Sequence, residues 1–454
     1  MLGKTEHIHF VGIGGIGMSG LAIIMRNMHF RVSGSDIQCS DITRNLESMN
    51  ISVAYTHEKR NVEGADVVVY STAVRPDNPE IAEARRIGIP VIHRGELLAE
   101  LTRLKIAVCV SGTHGKTTTT SIISEVLNKG GLSPTTVVGG IIMGKSQARF
   151  GKGEYLVCEA DESDKSFLKL FPSYAVITNI EAEHLDHYKD IDEIKEHFSY
   201  FANHVPFWGC IFLGTDSPGV REIHKQIHRK TVTYGMNEET ELVATDIQKK
   251  PKGCSFRVTY YGEELGAFAI NLLGQHNINN TLAAIGVGLE LGIDPEKIKN
   301  ALARFKGVHR RIEFIDAVRG VKIFDDYGHH PTEIAVTLQT IRDYFPKKRI
   351  ISVFQPHRYT RTQHLFNNFA FSFLFADVVI VTDIYPAHEM PIPGVSGESL
   401  TKRIRKEQET VHYIPDFDDI IAFIKKTSRS GDIIVVQGAG SINAMARRIA
   451  KELA

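Results

Sequence analysis

Between the apolar run IAVCV (Ile106 to Val110) and a following helical stretch, the chain reads SGTHGKTTTT, Ser111 to Thr120. A strand that passes through a glycine-rich turn straight into a helix packs in few ways, as the opening of a βα unit in a parallel sheet. Small residues in the turn let backbone N–H groups converge on a phosphate; the helix N-terminus adds a positive dipole and Lys116 a full charge. Thr117 is placed to offer its hydroxyl to Mg²⁺. The general pattern G-x-x-x-x-G-K-[ST] is met incompletely, because Val110 stands where the first glycine belongs and Gly112 follows two residues later. A threonine-rich turn without a ligand is the bland alternative; the strand before it and the helix after it favour a nucleotide site.

The rest of the chain repeats this rhythm. IHFVGIGGIGMSGLAIIM, from Ile8, reads as strand, glycine turn and helix, and a second strand, Phe30 to Ser33, leads into Asp36. ADVVVYSTAV and IGIPVIHRGELLAEL extend this unit to about residue 103. YLVCEA and SYAVITNI supply further strands after the loop, and Thr231 to Ile270 reads as short alternating strands, an antiparallel insertion or edge. KKRIISVFQP, ADVVIVTDIY and GDIIVVQGAGS form a last α/β series. The expectation is an α/β fold of three domains in series, residues 1–103, 104–307 and 308–454, the outer two Rossmann-like and the central one of the P-loop ATPase kind. A chain of 454 residues, 43% hydrophobic and 23% charged, fits a globular protein of that size. Lys+Arg and Asp+Glu are both 53, so no general basic field draws nucleic acid. The five cysteines are scattered without a CxxC pair, which speaks against a disulfide framework or a structural zinc site. No signal-peptide order or membrane-length apolar run is present, so no membrane is expected and the cytoplasm is the expected compartment.

CEADESD (Cys158 to Asp164) and NIEAEHLDHY (Asn179 to Tyr188) each follow a strand, at the edge where α/β sheets gather ligands. Glu159 and His184 there are suited to hold a Mg²⁺ that bridges phosphoryl oxygens, with Thr117 as a third donor. Alone, either acidic cluster reads as a solvated turn; beside a phosphate loop both read as metal donors. At the N-terminus, Gly12, Gly14 and Gly17 spell G-x-G-x-x-G with Asp36 about twenty residues on, literally a dinucleotide fingerprint and hence a nicotinamide-dependent oxidoreductase. Those glycines only admit a diphosphate, however, and no hydride-transfer site is visible. A sugar nucleotide fits the same turn.

Taken in order, VGIGGIGMSGLA, VSGSD, SGTHGKTTTT, EADESDKSFL, TNIEAEHLDHY, GQHNINNTLAA, HRRIE, DDYGHHPTE, FQPHRYTRT and VVQGAGSIN resemble the Mur ligases of bacterial cell-wall synthesis over essentially the whole chain. DDYGHHPTE and FQPHRYTRT carry most weight, since a generic nucleotide fold explains neither. The family loop is itself GT-x-GK[ST], which accounts for Val110; Glu183 departs from the aspartate more usual beside the motif histidine. The resemblance implies ATP-dependent ligation of L-alanine to the carboxylate of UDP-N-acetylmuramate through an acyl phosphate, with Mg²⁺, by a monomer or homodimer. It places Gly112, Thr113, His114, Gly115, Lys116, Thr117 and Thr118 on the ATP phosphates, and His276, Asn277 and Asn280 around the adenine. Arg310 or Arg311 reaches the γ-phosphate and Asp326 lies near the ribose. Gly14, Gly15, Ile16, Gly17, Asp36 and Ser71 face the UDP-sugar; Tyr327, His329, His357, Arg358 and Arg361 face the amino acid. Lys116, His184, Arg311, His329 and His357 are the implied catalytic groups. Without the resemblance, HNINN reads as a polar helix start at Asn277. A relative that attaches a preformed peptide, and a non-catalytic sugar-nucleotide sensor, would share the loop.

Overall fold

Apolar strands alternating with amphipathic helices produce three sheets in series along the chain. The computed structural model describes residues 2–71, 73–139, 148–183, 187–387 and 389–454. Two compact units result, one of Met1–Ile247, Ser255–Ile270 and His276–Phe305, the other of Gln248–Cys254, Asn271–Gln275 and Lys306–Ala454.

The first sheet joins β1 (His7–Val11), β2 (Arg31–Ser35), β3 (Ser52–Ala54), β4 (Val67–Tyr70) and β5 (Val91–His93) in the order β3-β2-β1-β4-β5, all parallel. Its helices are α1 (Ile16–Asn27), α2 (Asp41–Ser48), α3 (Pro79–Ile87) and α4 (Arg94–Leu104). The second strand begins and ends later than the expected Phe30 to Ser33, because its register with β1 carries pairing through Val11 and Ser35. Strand order reverses at β1, which opens a crevice at its C-terminal end, where the glycine turn sits. Helix α3 shows how sharply local chemistry sets its ends: Asn78 accepts the Glu80 N–H at 2.9 Å, Pro79 opens the first turn, and Gly88 closes it at φ +81°.

The second sheet contains β6 (Ile106–Ser111), β7 (Thr135–Val137), β8 (Ala148–Arg149), β9 (Tyr155–Glu159), β10 (Tyr174–Ile177), β11 (Cys210–Gly214), β12 (Thr231–Gly235), β13 (Leu242–Lys250), β14 (Gly253–Tyr260) and β15 (Glu263–Ile270). Their order is β15-β14-β13-β12-β11-β10-β6-β9-β7-β8. The stretch expected as an antiparallel insertion lies at the edge, yet its first strand, β12, pairs parallel with β11. Beside it β13 to β15 are linked by two-residue turns of hairpin length. Central strand β6 runs between β10 and β9 and is buried from Ala107 to Ser111. Helix α5 (Lys116–Lys129) follows it directly.

In the second unit β16 (Glu313–Val318), β17 (Val321–Asp326), β18 (Ile350–Phe354), β19 (Val378–Val381), β20 (Val411–Tyr413) and β21 (Ile433–Gln437) run in the order β16-β17-β21-β18-β19-β20. Only the β16–β17 hairpin is antiparallel. Successive strand residues point to opposite faces, so one core gathers Phe324, Ile350 and Phe354 while the other gathers Ile323, Ile351 and Val353. Both faces are covered, which is why these strands read as continuous apolar runs.

Candidate active site

At the first sheet's switch point, the N–H groups of Gly12 and Ile13 donate to the Ser35 carbonyl at 2.8 and 2.9 Å. Gly14 N–H donates to Asp36 Oδ2 at 2.8 Å, and Asp36 Oδ1 accepts from Gln38 N–H at 2.9 Å. Asp36 therefore shapes the turn, and both its oxygens are engaged by the backbone. Gly15 precedes α1 without a side-chain cap, and Ile16 is 37% exposed at the first helical position. Half-buried Ser71 lies at the end of β4; a Cβ on Gly12 would stand 4.0 Å from its Oγ.

In the phosphate loop, Gly112 has φ +133°, and a Cβ there would meet Thr178 Oγ1 at 2.1 Å. The loop is tied to β10's continuation: Thr113 N–H donates to the Asn179 carbonyl at 3.0 Å, His114 N–H to Asn179 Oδ1 at 2.8 Å, and Thr178 Oγ1 to the His114 carbonyl at 2.6 Å. Gly115 caps α5 in the left-handed region, with Asn280 Oδ1 2.6 Å from where a Cβ would be. Lys116 Nζ donates to the Gly112 carbonyl at 2.7 Å, the Thr113 carbonyl at 3.1 Å and Glu162 Oε1 at 2.8 Å. Burial would lower the Lys116 pKa, but Glu162 and Asp161 outweigh it and hold the ammonium above its ordinary value. The side chain carries its full charge into the loop. Thr118, buried, sits one residue past Thr117 in the first turn.

Glu159 ends β9 and accepts Gly139 N–H at 2.6 Å. Burial pushes its pKa up, ahead of the opposing Gly139 N–H, Lys116 charge and Thr117 hydroxyl. Half-buried Glu159, with Thr117, offers hard oxygens of the kind Mg²⁺ takes. His184, the other expected metal donor, lies outside the described residues. His114 Nε2 stands 3.4 Å from Glu181 Oε2 and 3.5 Å from Glu183 Oε1, a pairing that short-range reading of the loop missed. Asp161 and Glu162 were also missed as partners of Lys116, although the run EADESD contained both.

The expected adenine residues are placed less openly. The helix containing them starts at Gln275. His276 is half-buried, while Asn277 and Asn280 are 6% and 5% exposed. Asn280 Nδ2 donates to Asn277 Oδ1 at 3.0 Å, and Thr119 Oγ1 donates to Asn280 Oδ1 at 3.0 Å. These amides join their helix to α5 and so brace the loop from behind.

The second unit gathers its own cluster. Arg310, at φ +59°, pairs with Asp325 at 3.3 Å and donates to the Gly438 carbonyl; Arg311 lies 3.5 Å from Glu333. Both guanidinium groups lie over the Tyr327 ring, at 5.2 and 5.4 Å. Asp326, expected near the ribose, accepts three hydrogen bonds from the protein: Oδ2 from Ile312 N–H at 2.9 Å, and Oδ1 from Gly328 N–H at 2.9 Å and the Thr337 hydroxyl at 3.1 Å. Burial pushes its pKa up against the Arg311 charge.

His329 packs edge-on to Tyr327 at 5.4 Å and to His357 at 5.8 Å, and His357 stacks on Tyr385 at 5.6 Å. Their partners fix the tautomers. His329 Nδ1 lies 3.1 Å from the Tyr327 carbonyl, an obligate acceptor, so the proton is on Nδ1 and the Nε2 lone pair is left. Arg361 Nη1 donates to His357 Nδ1 at 3.1 Å, so the His357 proton is on Nε2. Burial, followed by the neighbouring His329 ring and the Arg361 charge, lowers His357 to about 3. Burial likewise takes His329 to about 4 despite Glu333, so both rings are neutral at pH 7. Arg358, at φ +68°, precedes the helix Tyr359–His364, where Glu389 accepts the Thr360 hydroxyl at 2.7 Å and feels the Arg358 charge.

The chain matches the Mur ligase family catalytic domain over residues 7–106, the Mur ligase middle domain over 110–288 and the Mur ligase glutamate ligase domain over 310–440. It is 49% identical to a UDP-N-acetylmuramate–L-alanine ligase of Desulfatibacillum aliphaticivorans, covering 97% of each chain, and 48% identical to one of Sorangium cellulosum (strain So ce56), covering 99% of this chain and 97% of that one. The crystal structure of a UDP-N-acetylmuramate-alanine ligase from Thermotoga maritima superposes with a TM-score of 0.84 at 29% identity, covering 98% of both chains. A murein peptide ligase from Psychrobacter arcticus shares the fold, with a TM-score of 0.73 at 23% identity and coverage of 99% and 98%. The chain belongs to the Mur ligase family, and it is a ligase.

Proposed function

We propose that this ligase joins L-alanine to the carboxylate of UDP-N-acetylmuramate, using ATP and releasing ADP and phosphate, as a step of peptidoglycan precursor synthesis in the cytoplasm. The domain limits 1–103, 104–307 and 308–454 divide the work among sugar nucleotide, ATP and amino acid. The observation that carries the reading is Lys116, held charged at the mouth of the phosphate loop among Glu159, Asp161 and Glu162. The relatives' names, at 49% and 48% identity over nearly the whole chain, support the choice of substrates.

A carboxylate is a poor electrophile, so it must first be activated. One muramyl carboxylate oxygen attacks the γ-phosphorus, the bond to the bridging oxygen breaks, and ADP leaves an acyl phosphate. The alanine amine then attacks the acyl carbon; the tetrahedral intermediate collapses with loss of phosphate, and the amine's proton passes to a base. Lys116 neutralises charge that grows on the transferring group, and the loop N–H groups orient it. Glu159 and Thr117 would hold Mg²⁺, which when bound would offset phosphate charge. Arg358 and Arg361 take the amino acid's carboxylate, with Tyr327 beside them. Between the two histidines, His329 is the proton acceptor, because its Nε2 keeps a lone pair, while His357 offers a donor there instead.

The test is phosphate release in an assay that omits one substrate at a time. Release should require UDP-N-acetylmuramate, ATP, Mg²⁺ and L-alanine together, and Lys116→Ala should abolish it while the sugar nucleotide still binds. Brisk turnover with a preformed peptide and none with L-alanine would sink the assignment of the amino acid.

A further inference from the structure

Arg311 stands between two residues in the left-handed region, Arg310 at φ +59° and Ile312 at φ +47°. A β-branched residue rarely sits there, and such a conformation persists only where its surroundings fix it. Here the backbone is held on both sides of Arg311. Tyr327 N–H donates to the Arg310 carbonyl at 2.6 Å, Arg310 N–H to Glu313 Oε2 at 2.9 Å, and Ile312 N–H to Asp326 Oδ2 at 2.9 Å. The Arg310 side chain is drawn into the same frame. Its Nε faces Asp325 Oδ2 at 3.3 Å and its Nη2 donates to the Gly438 carbonyl, so it ties the turn to β17 and to the chain just past β21. The Arg310 side chain is 16% exposed and that of Asp325 is fully buried, whereas Arg311 is 36% exposed, its guanidinium over the Tyr327 ring.

Asp325 is not stabilised by this pairing. Burial pushes its carboxyl up to about 6 against the Arg310 charge, with Asp326 and Glu313 adding to the rise. Glu313 in turn faces His309 Nδ1 at 3.1 Å and accepts Arg447 Nη2 at 3.0 Å. At Lys116 the partners outweigh burial; at Asp325 burial outweighs the partner. An ionised carboxylate that the fold disfavours serves something other than stability. We infer that Asp325 is a positioning residue for phosphoryl transfer: through Arg310 it fixes the turn that presents Arg311, and Arg310 itself touches no substrate. This rests on the ligase reading, in which one arginine of the pair meets the γ-phosphate. Charge on that group is redistributed in the transition state, so a well-aimed guanidinium raises turnover more than it tightens ATP.

The experiment measures phosphate release by the full chain at pH values on either side of 6. Wild type, Asp325→Asn, Arg311→Lys and the double variant are compared, each with a thermal melt. Asparagine keeps an acceptor for Arg310 and removes the buried charge. In Asp325→Asn kcat falls roughly 10- to 100-fold, as a misplacement of about 1 Å produces, while KM for ATP moves less than about threefold. Its melting temperature at pH 7 holds or rises, because the fold disfavours the ionised acid. Wild-type kcat drops as pH falls through about 6, where Asp325 takes up a proton, and the variant lacks that limb. Added to Arg311→Lys, Asp325→Asn lowers kcat by less than about threefold more, since lysine has no planar fork to aim. Parental kcat in Asp325→Asn overturns the inference. A lost kcat that comes with a lower melting temperature overturns it too, making Asp325 a structural residue. So does a full further loss in the Arg311→Lys background, or a raised KM for ATP at unchanged kcat. A wild type that releases no phosphate with UDP-N-acetylmuramate, ATP, Mg²⁺ and L-alanine removes the ligase reading and this inference with it.

Discussion

Lys116 makes its three hydrogen bonds before any ligand arrives, so removing it tests the loop as a structure separately from the loop as a catalyst. In Lys116→Met the carbonyls of Gly112 and Thr113 each lose a donor, and Glu162, whose side chain is 3% exposed, loses a charge partner at 2.8 Å. Breaking a buried pair from one side costs about 3–5 kcal/mol, because the remaining charge is left under-compensated. For a domain of this size about 2–4 °C of melting temperature goes with each kcal/mol, so the expected fall is roughly 6–20 °C. Adding Glu162→Gln removes the stranded charge and should return more than half of that, although neither variant turns over. A chain of several domains need not melt in one step. The sole tryptophan, Trp208, packs edge-on to Tyr174 at the start of β10 and reports on this part of the molecule by its emission. A Lys116→Met melt within 2 °C of the parent, or a double variant no better than the single, would refute the claim that the pair braces the loop.

Gly112→Ala forces a Cβ to 2.1 Å from Thr178 Oγ1 and about 3 Å from two backbone nitrogens, at a φ that L residues rarely adopt. ATP affinity, measured by titration, should fall by more than tenfold (about 1.4 kcal/mol), and Thr178→Ala should not restore it. Asp326→Asn sets an amide N–H₂ against a backbone or hydroxyl donor in a buried site; about 1–3 kcal/mol of stability should be lost in a denaturant melt without any nucleotide present. Unchanged stability with weakened ATP would instead make Asp326 a ribose ligand. His329 titrates at about 4 when folded against 6.5 when unfolded. Between those values the unfolded chain takes up a proton that the folded one refuses. Stability of the second unit therefore falls as pH drops from 6.5 toward 4, and His329→Gln should flatten that slope; an unchanged slope would contradict the burial argument.

Much of this molecule was legible in short stretches of sequence. Strand, turn and helix in IAVCV–SGTHGKTTTT depend on neighbours a few residues apart, so the glycine turn and the α/β class could be read in the sequence itself. The same holds for the three-part series and for the acidic ends of β9 and β10. Strand limits drifted where partners decide them: β2 runs to Ser35 because β1 pairs with it that far, and β12 is parallel because β11 lies beside it. The loop's partners were out of reach for a like reason. Glu162 meets Lys116 from 46 residues away, and Arg94 meets Asp161 from 67. Nothing local distinguishes a glycine held at a left-handed φ, as Gly112 is, from one packed against a side chain distant in sequence, as Gly14 is against Asp36. Asp36, Asp326 and Asn280 carry the residue types of ligand contacts, and each also accepts hydrogen bonds from groups of the protein that no local stretch announces. Sequence alone determined which chemical groups the chain carries and on which kind of element each would stand. Only the tertiary structure decided which donors and acceptors are consumed by the fold and which are left for a ligand, because that depends on burial and on contacts between residues far apart in the chain.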